Sequence, residues 1–289
     1  LKPRQIMFKE ALKSRVPPTL MAGYYNAVGR HRLNKTEPLH FDDSKLRDLS
    51  AGEIADAFTD KDTSNAWAED SAAISSIFGE GHYGLGVNPG DRRAIYSVIL
   101  HLKPRRILEI GTHLGASTIH IAAALKRLDA GGKVTTLDIE DVNAKDGPWQ
   151  RFGMPQCPSD YLRQLRLDGF VNFITSDSIA YLTAAHEEYD FIFLDGDHSA
   201  ATVYQELSLS LRLLSAKGLV MLHDYFPGGK SVFPGVAPDK GPFQALMRVR
   251  KENPSIQIFP FGPLPWPTKR GTSATTLALV GRAIVRYLN

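Results

Sequence analysis

The sequence predicts an α/β fold, an open and mostly parallel sheet with helices on both faces. Two observations carry this. From Arg105 onward, short β-rich runs alternate with stretches of helical periodicity, the mark of βαβ units. The run Ile107-Leu-Glu-Ile-Gly-Thr-His-Leu-Gly-Ala-Ser117 passes from a buried strand through a glycine turn into an alanine-rich helix.

Taken in order, the strands fall at 105–111, 133–139, 171–177, 189–195 and 218–224, with helices at 115–128, 158–167, 179–186 and 200–214 between them. After a helix at 242–252 come two runs, 255–261 and 275–282. Only the proline-rich loop Phe261-Gly-Pro-Leu-Pro-Trp-Pro267 and its continuation separate them. Two such strands read as an antiparallel hairpin at the end of the sheet. Upstream, residues 44–60 and 66–79 carry apolar positions at helical spacing (Leu46, Leu49, Ile54, Phe58; Trp67, Ala72, Ile74, Ile77, Phe78). Residues 1–50 are rich in Lys and Arg, and Val16-Pro-Pro18 breaks any long helix there. Asn88-Pro89 is an N-cap and first-turn pair for a helix to about His101. The division expected is 1–80 as a helical cap or oligomerisation extension and 81–289 as a cofactor-binding domain.

At 289 residues, 43% hydrophobic and 22% charged, the chain has the composition of a globular protein with a sizeable core. The charge of +3, from 34 basic and 31 acidic side chains, gives no sign of a nucleic-acid partner. One cysteine, Cys157, excludes an intramolecular disulfide framework and points to a reducing, cytoplasmic setting. No apolar run approaches the ~20 residues of a membrane helix. A homo-oligomer is compatible with this composition.

Ligands of open α/β sheets bind beyond the carboxyl ends of the strands, so the polar residues there are the candidates. The first turn, Glu109-Ile-Gly111-Thr112-His-Leu-Gly115-Ala-Ser117, reads E-x-G-x-x-x-G, not the G-x-G-x-x-G of dinucleotide sites. A leading acid suits a cationic ligand. The second strand ends in Asp138, positioned to accept hydrogen bonds from ribose hydroxyls or to cap a helix. The third ends in Asp177, which can serve as the N-cap of the helix at 179. The fourth delivers Asp195-Gly-Asp197-His198 and the fifth His223-Asp224-Tyr225. Both clusters end adjacent strands and should share one crevice. Asp and His are good ligands for a divalent cation, and an oxygen-rich set suits magnesium.

The glycine pattern resembles motif I of class I S-adenosylmethionine-dependent methyltransferases. The pair LDGDH…LHDY resembles the metal-dependent O-methyltransferases, closest to the macrocin O-methyltransferase-like group, with catechol and caffeoyl-CoA O-methyltransferases more distant. The resemblance spans residues 80–282. It implies a Rossmann-like, seven-stranded sheet whose last two strands are antiparallel. It also implies S-adenosylmethionine held by Glu109, Gly111, Thr112, Gly115, Ser117, Asp138, Asp177 and Asp195. A metal, Mg²⁺ first, would sit on Asp195, His223 and Asp224, with His198 or Asp197 as the base. His223 departs from the oxygen ligand usual there, which shifts the preference toward manganese, iron or zinc, or removes the metal. The activity implied is methyl transfer to a hydroxyl of a small molecule such as a sugar or polyketide. The alternatives are a metal-independent N- or O-methyltransferase, an NAD(P)-binding oxidoreductase and a silent cofactor-binding protein. Three segments are expected to face the acceptor: the loop 79–86 with His82 and Tyr83, residues 141–158 with Trp149, Arg151 and Phe152, and residues 225–241.

Overall fold

The structure is a computed structural model that describes residues 18–49, 51–79 and 86–283. Five strands follow one another as the alternation predicts: β2 (Arg106–Ile110), β3 (Lys133–Asp138), β4 (Val171–Thr175), β5 (Tyr189–Leu194) and β6 (Leu214–Leu222). The last two are β7 (Ile256–Pro260) and β8 (Ala278–Ala283), paired antiparallel. A two-residue strand, β1 (Asp48–Leu49), precedes them all. The sheet order is β1-β8-β6-β5-β2-β3-β4, with β7 on β8.

The strands are apolar on both sides, because helices cover both faces. Side chains alternate between the faces with period two. Ile107, Phe191, Phe193 and Met221 face one core, with α4 (Pro89–Leu102) and α5 (Ala116–Leu128). Leu108, Ile192, Leu194 and Val220 face the other, with α9 (Ala200–Arg212) and α10 (Gly241–Glu252). Shorter helices α6 (Pro148–Arg151), α7 (Pro158–Gln164) and α8 (Ser178–Ala184) complete the domain.

Register places the site. Ile110 pairs with Leu137 on one side and Leu194 on the other, and Leu194 pairs with Leu222. The residues that follow, Gly111, Asp138, Asp195 and His223, therefore leave the sheet at one level.

The N-terminal part differs from the sequence-based expectation in three respects. Helix α1 (Pro18–Lys35) is 18 residues long and begins at the proline pair expected to break a long helix, since a proline fits the first turn. It packs against α9 and α10, and the Arg248 guanidinium donates to the Leu33 carbonyl. Helix formation expected over 44–60 is confined to α2 (Ala51–Thr59), followed by α3 (Lys61–Phe78). Leu46 instead bridges Gly218 in parallel, and Asp48 and Leu49 pair with Arg282 and Ala283. The expected count of seven strands is corrected by this pairing to eight. Leu46 and Leu49 are buried, and a spacing of three serves a strand-and-turn segment here as readily as a helix. The expected substrate residues His82 and Tyr83 lie outside the described residues.

Candidate active site

The strand ends enclose a cavity of about 700 Å³, within the size range of small-molecule sites. Its floor is the turn after β2. Gly111 has φ +102, and a Cβ there would lie 2.2 Å from the Asp195 carbonyl oxygen. Only glycine lets the β2 and β5 ends approach so closely. Gly115, at φ +74, caps α5 without a side chain and packs against Pro158. Thr112 and Ser117 line the cavity, and Thr112 Oγ1 is 2.6 Å from Thr136 Oγ1.

Glu109 is placed differently from the other expected cofactor residues. It is fully buried beneath the turn, with Oε2 accepting from Thr118 Oγ1 at 2.5 Å and Thr136 Oγ1 at 2.7 Å. It is absent from the cavity lining. Burial pushes its carboxyl up to about 7, against the pull of the Ser117, Thr118 and Thr136 hydroxyls. The acid fastens the first turns of α5 to β3.

Asp138 accepts the His113 backbone N–H at 2.8 Å, which shapes the turn while its carboxyl faces the cavity. Asp177 lines the cavity and also caps α8, accepting from Ala180 N at 2.9 Å. The two roles weighed for it are compatible. His113, at φ +47, sits edge-on to Phe152 at the cavity wall. Of the segment 141–158, Trp149 is tied to the Ala144 carbonyl and Arg151 to Glu140.

The β5 and β6 ends meet in one acid–imidazole cluster. Asp195 Oδ1 lies 3.0 Å from His223 Nδ1 and 3.5 Å from His198 Nε2. Asp224 Oδ2 lies 3.2 Å from His198 Nδ1. His223 Nε2 lies 3.2 Å from Oδ2 of Asp91, a fully buried residue in the first turn of α4. Burial would raise the Asp195 carboxyl, but His223 and His198 outweigh it and hold it well below the usual carboxylate range. Burial would likewise lower the histidines. Asp195 and Asp224 reverse this, bringing His198 up to about 9 and His223 well above its ordinary value.

Asp197 is occupied elsewhere. It accepts from Ser199 N and Oγ and from Thr202 Oγ1, at 2.8–3.0 Å, securing the start of α9. Of the two candidate bases, His198 is the one in contact with the cluster. Cys157, buried beside Ser159 and Asp160, lies off the cavity.

The cavity suits a cationic ligand: six acids, Asp138, Asp177, Asp195, Asp197, Glu206 and Asp224, line it against Lys269 and the imidazoles of His113, His198 and His223. That balance fits the sulfonium and ammonium of S-adenosylmethionine and is unsuited to a pyrophosphate. The donors do not fit a divalent cation in the same way. Both ring nitrogens of His223 face carboxylates, which favours the doubly protonated ring and leaves no lone pair for a metal. Among the described residues no group of three or more His, Cys, Asp or Glu side chains is arranged to hold a metal ion.

Two residues of this site escaped the sequence reading, Asp91 and Glu206. Asp91 was hidden in a capping pattern, where its N–H meets Asn88 Oδ1 at 3.1 Å. Glu206 gave a usable signal, an acid on the inward stripe Val203, Leu207, Ser210, Leu211 of α9.

The sequence profile of a family described as a methyltransferase domain matches residues 108–225, from β2 to the residue after Asp224. The rhamnosyl O-methyltransferase of Mycobacterium tuberculosis is 26% identical over 162 residues, which cover 55% of this chain and 60% of that protein. The caffeoyl-CoA O-methyltransferase of Populus kitakamiensis is 27% identical over 133 residues, covering 44% of this chain and 51% of that protein. The chain thus spans between half and three-fifths of the length of these relatives. The fold is that of the O-methyltransferase from Bacillus cereus, solved in complex with SAH. The TM-score is 0.50 at 17% identity, over 90% of this chain and 100% of that one. TomG, an O-methyltransferase from Streptomyces achromogenes solved in complex with SAM, gives a TM-score of 0.50 at 15% identity, over 93% and 100%.

Residues 108–225 thus match the profile of a methyltransferase domain and lie on a Rossmann-like sheet. The curated relatives named above are O-methyltransferases. Among the described residues no helix is long and apolar enough to cross a membrane.

Proposed function

We propose that the chain transfers a methyl group from S-adenosylmethionine to a hydroxyl oxygen of a small molecule, with His198 as the group that takes the proton. The observation that carries this reading is His198 itself. It stands at the cavity wall between Asp195 and Asp224, next to the glycine turn. Gly111, Thr112, Gly115 and Ser117 form the floor under the cofactor, Asp138 receives the ribose hydroxyls, and Asp177 faces the nucleobase.

The bound cofactor supplies an electrophilic methyl on a positively charged sulfur. His198 rests as an imidazolium. A second positive charge brought into the same acid-lined space favours release of its proton, leaving a neutral ring able to accept the acceptor's. Asp195 and Asp224 orient the ring and stabilise its charged form after the transfer. No step is assigned to a metal.

The acceptor is assigned to a second recess of about 360 Å³ that shares Gly196, Asp197 and His198 with the first. Tyr25, Asn26 and Arg32 of α1 contribute to it, as does Gln244 of α10. One aromatic ring among amide and guanidinium groups suits a polyhydroxylated acceptor such as a sugar. The rhamnosyl O-methyltransferase similarity points the same way. In this reading α1 is a cap over the acceptor.

Calorimetric titration with S-adenosylhomocysteine, with magnesium and then with excess EDTA, tests the proposal together with a panel of hydroxylated acceptors. Micromolar binding and turnover that ignore EDTA are expected. No binding in either condition would sink the methyltransferase reading. Turnover abolished by EDTA and restored by a cation would return Asp195, His223 and Asp224 to the role of metal ligands.

A further inference from the structure

Glu206 is a cavity-lining acid to which neither the glycine turn, nor the acid–imidazole cluster, nor a helix cap gives a task. It lies in the second turn of α9, is 1% exposed, and belongs to the wall that Ser178, Gly196 and Thr202 complete. Its Oε1 has no hydrogen-bond partner. A Cβ on Gly196 would lie 3.8 Å from that oxygen, so nothing larger than glycine separates Glu206 from the β5 end. A buried carboxyl oxygen without a partner is costly, and a ligand that satisfies it recovers the cost.

The neighbourhood says which part of a nucleoside could do so. If Asp138 receives the ribose, the base attached to that ribose lies beyond it, toward the end of β4, where Ser176 to Ile179 line the cavity. That is the stretch Glu206 faces.

We propose that Glu206 is a specificity-determining residue for the cofactor, its free carboxyl oxygen accepting a hydrogen from the exocyclic amino group of the adenine. This rests on the reading that the cavity holds S-adenosylmethionine. The groups around the carboxyl agree with it. The Ser178 hydroxyl hydrogen-bonds it, Asp177 and Asp197 repel its charge, and His198 attracts it. Burial, helped by Asp197 and Asp177, raises the carboxyl to about 7 against the pull of the Ser178 hydroxyl and His198. An amino hydrogen directed at the oxygen compensates for the lost water, whereas a carbonyl in the same place meets a group of like polarity.

The test compares S-adenosylhomocysteine with S-inosylhomocysteine, in which a carbonyl replaces the amino group, by calorimetry on the wild type, E206Q and E206L. The wild type is expected to bind the adenine compound at least tenfold more tightly. E206Q, whose amide presents either an acceptor or a donor, should narrow that ratio by at least tenfold. E206L should weaken S-adenosylhomocysteine by about tenfold while leaving the inosine compound nearly unchanged. A ratio unaltered in both variants overturns the assignment. Should neither variant fold, equal binding of the two compounds by the wild type overturns it as well, and a preference for adenine supports it. If the wild type binds neither compound, the cofactor reading fails and this inference with it. Binding of S-adenosylhomocysteine with an unaltered ratio removes Glu206 alone.

Discussion

Asp91 and His223 stand 132 residues apart in the sequence, yet the Asp91 carboxylate lies 3.2 Å from the His223 ring. Asn88 Nδ2 donates to the same Asp91 oxygen at 2.5 Å, so the helix cap and the reaction cluster share one carboxylate. Removing one partner of a buried charged pair leaves the other uncompensated, at a typical cost of about 3–5 kcal/mol. D91A should lower the unfolding free energy by that order and bring the His223 ring titration down. Denaturant unfolding and ring-proton NMR measure the two effects. A variant with unchanged stability and unchanged His223 titration would show that the contact is inconsequential.

His198 sets the expected pH dependence of turnover. A base must be neutral, and His198 is charged below its own value, which the two carboxylates bring up to about 9 before the cofactor arrives. The rate should therefore rise with pH between roughly 6.5, the free-histidine value, and 9. H198A should lose a factor of about 10²–10⁴ in kcat and flatten that limb. A pH–rate profile of H198A superimposable on the wild type would remove the base assignment.

Glu109 gives a stability effect that the active site does not. Its folded value of about 7 exceeds the ordinary 4.5, so the folded protein binds the extra proton. Its contribution is complete below pH 4.5 and is lost as pH rises toward 7. Thermal unfolding of the wild type should lose stability over that window relative to E109Q. Parallel curves would contradict the protonated, buried state.

G111A tests the glycine turn. The added methyl would meet the Asp195 carbonyl oxygen at 2.2 Å, at a backbone angle that alanine disfavours. Strain of this kind costs on the order of 1–3 kcal/mol before the clash is counted. Loss of S-adenosylhomocysteine binding, read by calorimetry, should accompany a lowered Tm.

The sequence and the structure agree most closely where one signal had one meaning. Strands buried on both faces, such as Tyr189–Leu194, leave little choice of conformation, and the residues at their ends were legible as one crevice. Agreement fails where a pattern serves two geometries. Leu46 and Leu49 have helical spacing but join the sheet. Helix α1 has its apolar residues scattered around its circumference, and it is fixed by contacts with α9 and α10 that no local pattern encodes. Asp197 carries the motif of a catalytic acid, while Ser199 and Thr202, a few residues on, commit it to a helix start. Pairings across long sequence distances, such as Asp91 with His223, have no signature in either partner's neighbourhood.

The short strand at Asp48–Leu49 ties the order of folding to the order of synthesis. Its partners are Arg282 and Ala283, so it has no template until some 230 further residues have left the ribosome. The strands from β2 to β5 find all their neighbours within the run β2 to β6 and can condense earlier, while one edge of β6 waits for β8. During translation the segment around Leu46 and Leu49 must wait with its apolar side chains unpaired.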